Sequence, residues 1–389
     1  MLKNVSQNYL TRVSDRMDEI ASADWDGLLE RQQRPTPFMR HAYLSALQTS
    51  GSAVAATGWT LQVFSLWRGD VMAAACPLYL KTHSRGEYVF DWAWAEAYER
   101  HGLAYYPKAV IASPFTPVPG SRLLAEDAAA RQALLQVVLD WCRQHVPSLH
   151  VLFPDDADLQ ACRQASLMQR EQVQFHWHNP GWRDFEDFLA SLSQDKRKKI
   201  RQERRKVHEA GVRFRVLEGH RMSAQDWALV QRCYVQTYLE HGNPPYLQPG
   251  FFESMRNDMQ DAWLVFMAEI GDEPVGMSLI GLQRGPKGQP EVAYGRYWGA
   301  LRRVDCLHFE ACYYQPLEWC IAQGVQRFEG GAQGEHKMAR ALLPVRTSSA
   351  HWLAHPSFAQ AVDHFLERER QGVHGYLESL EQHSPLRKA

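Results

Sequence analysis

Six consecutive residues after a glycine-rich stretch, in GGAQGEHKMAR, bring together a carboxylate, an imidazole and two cations: Glu335, His336, Lys337 and Arg340. Such groups can accept a proton, pass it on and offset negative charge that develops during a reaction. Gly330, Gly331 and Gly334 allow backbone shapes and close approaches that other residues forbid. Upstream, His308 and Glu310 open an apolar run that reads as a helix from about Leu307 to Ala322, stopped by Gly324. A strand, Val325 to Glu329, then empties into the glycine turn. If helix start and strand end lie side by side, both polar clusters line one cleft. Each group also has a plainer reading. Glu335 and His336 suit a turn bonded to backbone, and Glu310 suits a helix start, where the dipole favours a carboxylate.

Other chemistries find less support. No His-Glu-x-x-His or similar spacing appears, so no metal site is expected. Seven cysteines without a Cys-x-x-Cys pair give neither a disulfide framework nor a zinc site, and Cys306, Cys312 and Cys320 read as packing residues. A net charge of -1 argues against a globally basic nucleic-acid binder. The first residues, MLKNVSQNYLTRVSDRMDEI, lack the apolar core of a signal peptide, and no run of eighteen apolar residues occurs, so a cytoplasmic protein without a membrane span is expected.

At 389 residues the chain is long enough for two cores of roughly 150 to 200 residues each. A hydrophobic content of 45% with thirteen tryptophans suits two folded lobes. Helix signals cover Ser22 to Arg31 and Phe38 to Thr49. Leu61 to Arg68 and Val71 to Leu80 flank Gly69-Asp70, a strong hairpin signal, and Glu87 to Ala95 reads as the next strand. The pattern then recurs. Val63-Phe64 and Gly69-Asp70 return 202 positions later as Val265-Phe266 and Gly271-Asp272, and Glu87 and Trp94 return 204 positions later as Glu291 and Trp298. Leu139-Asp140-Trp141-Cys142 returns at an offset of 178 as Leu317-Glu318-Trp319-Cys320, which leaves about 26 extra residues in the first half, PFTPVPGSRLL among them. Four matches in one order predict an internal duplication, with lobes at 1–185 and 186–389.

Between the halves, eight of the eleven residues from Lys196 to Lys206 are basic, in a predicted helix over 196–210. Arg197, Arg201, Arg204 and His208 share one face at 100° per residue. That face fits either a solvated surface or a phosphate or RNA contact. Near the C-terminus, a polar segment with Ser348, Ser349 and His351 leads to an amphipathic helix, Ser357 to Glu369, and a polar tail expected to fray beyond Arg370.

LHFEACYYQPLEWCIAQGVQRFEGGAQGEHK, with SAHW after it, KRKKIRQER before it, and GEYVFDWAWAEAYERHGLAYYPK and PFTPVPGSRLL in the first half, resembles a bacterial family of predicted N-acyltransferases described as peptidoglycan biosynthesis or recognition proteins. That family is similar to the Fem-type aminoacyltransferases, which have two GNAT-like lobes and attach amino acids from aminoacyl-tRNA to the peptide of a cell-wall precursor. The resemblance implies an α/β (α+β) fold, a tandem of two GNAT-like lobes, each a mixed, mostly antiparallel sheet flanked by helices. It also implies transfer of an acyl or aminoacyl group from an activated donor to an amine, with no tightly bound cofactor. The sequence departs from acetyl-coenzyme A enzymes where their pyrophosphate loop belongs: Arg296 to Asp305, RYWGALRRVD, holds Gly299 as its single glycine. Donor therefore stays open between aminoacyl-tRNA and an acyl-coenzyme A or carrier thioester.

On this reading Glu335 is the first choice of proton acceptor or amine-orienting carboxylate, with His336, Glu310 and His308 beside it. Lys337, Arg340, Arg296, Trp298 and the arginines 197, 201 and 204 (Arg197, Arg201, Arg204) hold donor or substrate, and Asp91 and Trp94 line the matching cleft of the first lobe. The alternative is a non-catalytic module that binds a peptidoglycan precursor or RNA through the same cleft.

Overall fold

In the computed structural model, residues 9–332 and 334–387 are described. Of the stretch expected to lack an apolar leader, Met1 to Ile20, residues 1–8 lie outside them. Strands β1 (Leu10–Ser14), β2 (Trp59–Arg68), β3 (Val71–Lys81), β4 (Lys108–Ile111), β5 (Leu124–Ala125) and β6 (Ser148–Leu152) occupy the first half of the chain. There follow β7 (Met168–His178), β8 (Val212–Glu218), β9 (Trp263–Ile270), β10 (Glu273–Arg284), β11 (Pro290–Ala300), β12 (Arg327–Glu329) and β13 (Leu343–Leu353). The chain folds into two compact units. The first runs to Gln172 and adds Tyr246–Phe251 and Arg346–Gly375; the second holds Val173–Pro245, Phe252–Val345 and the residues from Tyr376 on.

The two units share one strand plan. In the first, the order is β1-β2-β3-β4-β6-β13, antiparallel except for the parallel pair β4/β6, and β5 adds to β3. In the second, the order is β8-β9-β10-β11-β12-β7, again antiparallel except for the parallel pair β11/β12. This is the duplication expected of two GNAT-like lobes, each a mixed, mostly antiparallel sheet with helices against it. The last strand of each unit is exchanged: β13 follows β12 in sequence but closes the first unit, and β7 follows β6 but closes the second.

Three of the four repeated segments keep their places. The Gly-Asp turns join β2 to β3 and β9 to β10, and LDWC and LEWC both end helices that lead into the parallel strand, Ala128–His145 before β6 and Gln315–Ala322 before β12. The fourth is a correction. Glu291 and Trp298 lie in β11, whereas Glu87 lies in a turn and Trp94 in a helix, Trp92–Arg100. Gly86 and Tyr88 both have positive φ, which breaks any extended run there. Trp94 and Tyr98, one helical turn apart, pack together with Leu353, Val362 and Leu366, so spacing by four outweighed the aromatic strand propensity. Two further expectations change. The polar segment around Ser349 and His351 is strand β13, because Thr347, Ser349 and His351, at every second position, are buried while Ser348 and Trp352 are only half-buried. The final helix runs Pro356–Gln382 and does not fray at Arg370, since Leu377 and Leu380 are buried.

Each unit has its own core. In the first, Phe64, Leu78, Ile111 and Val151 of the sheet meet Leu134, Leu135 and Val138 of the Ala128–His145 helix. In the second, Phe266, Ile280 and Phe328 meet Tyr313, Tyr314, Leu317 and Ile321. Among the described residues no helix is long and apolar enough to cross a membrane.

Candidate active site

The second unit opens where its parallel strands part. β11 and β12 pair over only three positions, from Val292/Arg327 to Tyr294/Glu329, after which β11 runs on to Ala300 while the other chain turns away at Gly330. Just past the last pair, the β10/β11 register shifts between Ile280/Gly295 and Leu279/Tyr297, so Arg296 is the extra residue of a β-bulge. A bulge bends its strand and re-aims the side chain it adds. The turn that follows β12 is packed tightly: a Cβ on Gly330 would lie 2.6 Å from Leu342 and 3.3 Å from the Lys337 stem. Gly334 has φ +120°, a region that other residues avoid.

The facing helix starts at Leu307 after Cys306, which has φ +67°, and its second turn, Glu310–Tyr314, is a π-helix. Pro316 accounts for the wide turn: it has no N–H to donate, and its ring crowds the carbonyl of residue 312. Such turns often mark functional sites. Between the end of β11 and this helix lies a cavity of about 410 Å³ lined in part by Glu240, Trp298, Arg302, Arg303, His308 and Phe309.

The helix start and the glycine turn do come together. The rings of His308 and His336 lie 6.4 Å apart, and the Arg340 guanidinium sits 3.8 Å over Phe309. Burial holds the His308 imidazole down to about 4, with the nearby His336, Arg340 and Lys337 acting in the same direction. Its ring meets Trp298 edge-on at 5.3 Å. His336 is also held below its ordinary value, by burial and then by Lys337 and Arg340, and its Nε2 lies 3.2 Å from the Tyr313 hydroxyl. Lys337 is buried, donates to the carbonyl of Gly331 at 3.1 Å, and is pushed down to about 8 by burial. The site therefore offers two uncharged imidazoles and one cation that gives up its proton readily.

The remaining predicted residues are placed differently. Glu335 is exposed and accepts a hydrogen bond from Tyr376 at 2.5 Å. Glu310 is buried, and its Oε1 accepts from Arg204 at 3.1 Å and from Gln315 at 2.8 Å; burial raises its pKa against the pull of Arg204. Arg340 is only 2% exposed, and its charge is spent on Glu203 at 2.8 Å, with further bonds to Tyr314 and the His336 carbonyl. On the basic helix, Gln194–Glu209, Arg204 also pairs with Glu318 and Arg201 pairs with Glu186. Arg197 is half-buried and has no carboxylate partner among the described residues. Much of the arginine face is thus committed to ion pairs within this unit. Arg296 is half-buried with its guanidinium 5.1 Å from the Tyr297 ring centre.

In the first unit the corresponding opening is filled. Every residue from Lys108 to Ala125 is buried, so PFTPVPGSRLL occupies the space beyond β4 with its own side chains. Asp91 is buried and ion-paired with Lys108, which also pairs with Glu87 at 2.8 Å. Burial pushes the Asp91 carboxyl up, and the Lys108 ammonium more than reverses this and holds it below the usual range. Trp94 stacks on His150 and meets His351 edge-on. Those two histidines are cross-strand partners with Nδ1 atoms 2.8 Å apart. Sequence reasoning missed Lys108, His150 and, in the second unit, His176 and Glu329. Alternation was the available signal: Gln174, His176 and His178 interleave with Val173, Phe175 and Trp177. Among the described residues no group of three or more His, Cys, Asp or Glu side chains is placed to hold a metal ion.

Several solved structures share the fold. A FemX crystal structure superposes with a TM-score of 0.52 at 9% identity, covering 88% of this chain and 98% of that one. L-PGS from Bacillus licheniformis gives 0.52 at 10% identity over 89% of this chain and 97% of the other. The C-terminal domain of a putative lysylphosphatidylglycerol synthetase from Agrobacterium fabrum gives 0.52 at 10% identity over 88% and 94%. At these identities the likeness is one of fold. Comparison with curated proteins returns no match. The FemAB-like family model, described as peptidoglycan biosynthesis/recognition, matches residues 16–388, and the chain belongs to that family.

Proposed function

We propose that this protein is a transferase that moves an acyl or aminoacyl group from an activated donor, an aminoacyl-tRNA or an acyl thioester, to an amine, with a cell-wall precursor peptide as acceptor. The observation that carries the reading is the parting of β11 and β12 beside a cavity faced by an uncharged imidazole. Amide formation at an activated carbonyl needs a neutral amine, a proton acceptor and stabilisation of the oxyanion. His308 faces the cavity and stays uncharged near neutral pH, so it can accept a hydrogen bond from the amine. Lys337, cationic below about 8 and held beside Gly330 and Gly331, is the charge best placed to offset the oxyanion. Arg302 and Arg303 line the same cavity and suit a phosphate-bearing donor of either kind. Family membership supports the acceptor class.

Glu335 and Arg340 take lesser parts in this reading, the first because it is exposed and engaged by Tyr376, the second because it is locked to Glu203. The test is to incubate the full chain with a UDP-linked cell-wall precursor peptide and, separately, a pool of aminoacyl-tRNAs or of acyl-coenzyme A thioesters. Mass spectrometry should find an acceptor heavier by one acyl or aminoacyl group with one of the pools, and the gain should fall at least tenfold in Lys337→Met. Tight binding of the precursor with no mass gain from any donor would favour the binding module instead.

A further inference from the structure

On the second unit's sheet, the strands that part carry a second set of polar groups on the face opposite the helix. Glu329 ends β12, and its direct cross-strand partner on β7 is His176. Direct partners in an antiparallel pair point to the same face. The His176 Nε2 lies 3.7 Å from Glu329 Oε2 and 3.2 Å from Gln174 Oε1, while Arg327 donates to Glu329 Oε1 at 2.9 Å. Glu329 is 2% exposed and His176 3%. A buried carboxylate and imidazole side by side are kept in place by hydrogen bonds and pairing, and both stand at the edge of the opening.

Alternation fixes the geometry relative to the cavity side. Phe328, the residue before Glu329, packs in the same apolar cluster as Tyr313 and Phe309, on the side of the helix that carries His308. Trp177 and Phe175, on either side of His176, are in that cluster too. Glu329 and His176 therefore sit on the other face, at the last paired position before the gap, next to Gly330 and across from Tyr294. The rim of the gap is more open, with Gly330, Gly331, Ala332 and the bulged Arg296 all half-buried.

We propose that Glu329 and His176 form the subsite that receives the attacking amine and takes its proton, so that donor and acceptor meet from opposite faces of the opening between β11 and β12. The proposal rests on the transferase reading. The ammonium of the acceptor gives one proton to the carboxylate–imidazole pair, and the freed nitrogen lone pair forms the new bond to the acyl carbon. The bond from that carbon to the donor's oxygen or sulfur then breaks with its electron pair. As it departs, the leaving group takes up the second proton from the newly acylated nitrogen, which becomes a neutral amide, and the first proton passes from the pair to water. Glu329 and His176 touch the reacting amine in this scheme, whereas Arg327 and Gln174 are positioning residues that hold the carboxylate and the ring.

The test uses the full chain labelled with ¹⁵N in its histidine rings and methylammonium as the probe, with tetramethylammonium as a cation of equal charge that has no N–H. The His176 signal is identified by its loss in His176→Gln. Methylammonium should shift that signal, and Glu329→Gln should raise the concentration needed at least tenfold; Glu329→Asp, which keeps the charge but draws it back, should raise it less. No shift, an equal shift with tetramethylammonium, or an unchanged titration in Glu329→Gln would overturn the proposal. If Glu329→Gln does not fold, an unchanged titration in Glu329→Asp does so. The two readings fail separately. A methylammonium response without acyl transfer in the mass-spectrometric assay removes the transferase and leaves the amine subsite, and transfer without the response does the reverse.

Discussion

Lys337 is a buried ammonium whose main fixed partner is a backbone carbonyl, and this makes a sharp stability prediction. Burial lowers its pKa from 10.5 to about 8. A depressed pKa contributes stability that is full above the unfolded value and is lost as pH falls through the folded one. Over the interval from 10.5 to 8 the loss is about 3 kcal/mol, at about 1.4 kcal/mol per pKa unit. Lys337→Met keeps the apolar stem against Gly330, removes the charge, and forfeits one hydrogen bond worth about 1 kcal/mol. At pH 7 the variant should therefore be more stable by about 2 kcal/mol. For a unit of this size, at about 2–4 °C per kcal/mol, its melting temperature should rise by about 4–8 °C. Thermal unfolding at pH 7 and pH 10.5 is the assay, and the advantage should vanish at the higher pH. A variant that is less stable than the parent at pH 7, or equally advantaged at both, would refute the reasoning. A gain in stability coupled to loss of transfer is the pattern expected of a functional charge held at a cost.

His308 should make the second unit sensitive to acid. Its folded form is neutral down to about 4 against an ordinary 6.5, so its contribution is full above 6.5 and is lost as pH falls towards 4, by about 3 kcal/mol. His308→Asn should flatten the fall of the unfolding midpoint over that interval, and an equally steep fall would place the acid sensitivity elsewhere. Glu203 and Arg340 form a buried pair joined to Tyr314, so Glu203→Ala leaves an uncompensated charge and should cost about 3–5 kcal/mol by denaturant unfolding. A cost below about 1 kcal/mol would mean that Arg340 finds water or another partner easily.

The duplicated plan was legible because hairpins announce themselves locally. A Gly-Asp turn between two apolar runs is a signal that needs no tertiary information, and it occurs in both halves. The exchange of β7 and β13 was not legible, since nothing in a strand's own sequence names the sheet edge it will join. Glu87 to Ala95 misled because its aromatic residues suit a strand, while the turn at Gly86 and Tyr88 and the spacing of Trp94 and Tyr98 decide for a helix. At the site, the glycine turn and the helix start were readable from residue types crowded together in sequence, and His308 and Lys337 came from them. Glu329 and His176 are 153 positions apart and meet only through strand pairing. Glu335 looked chemically best placed in sequence, yet its neighbour in space is Tyr376, from a helix that the sequence pattern had ended too soon.

The central claim is that transfer happens at the second unit's opening, and the most direct measurement fills the cavity at the end of β11 without replacing a charged group. Leu301 lines the cavity and holds its place through a backbone bond to Val275, so Leu301→Trp adds bulk where the donor should lie. With the donor and precursor pair that gives a mass gain, the rate of transfer by Leu301→Trp should fall at least a hundredfold, a barrier increase of about 3 kcal/mol, while the melting temperature stays within a few degrees of the parent. An undiminished rate in the folded variant would contradict the account.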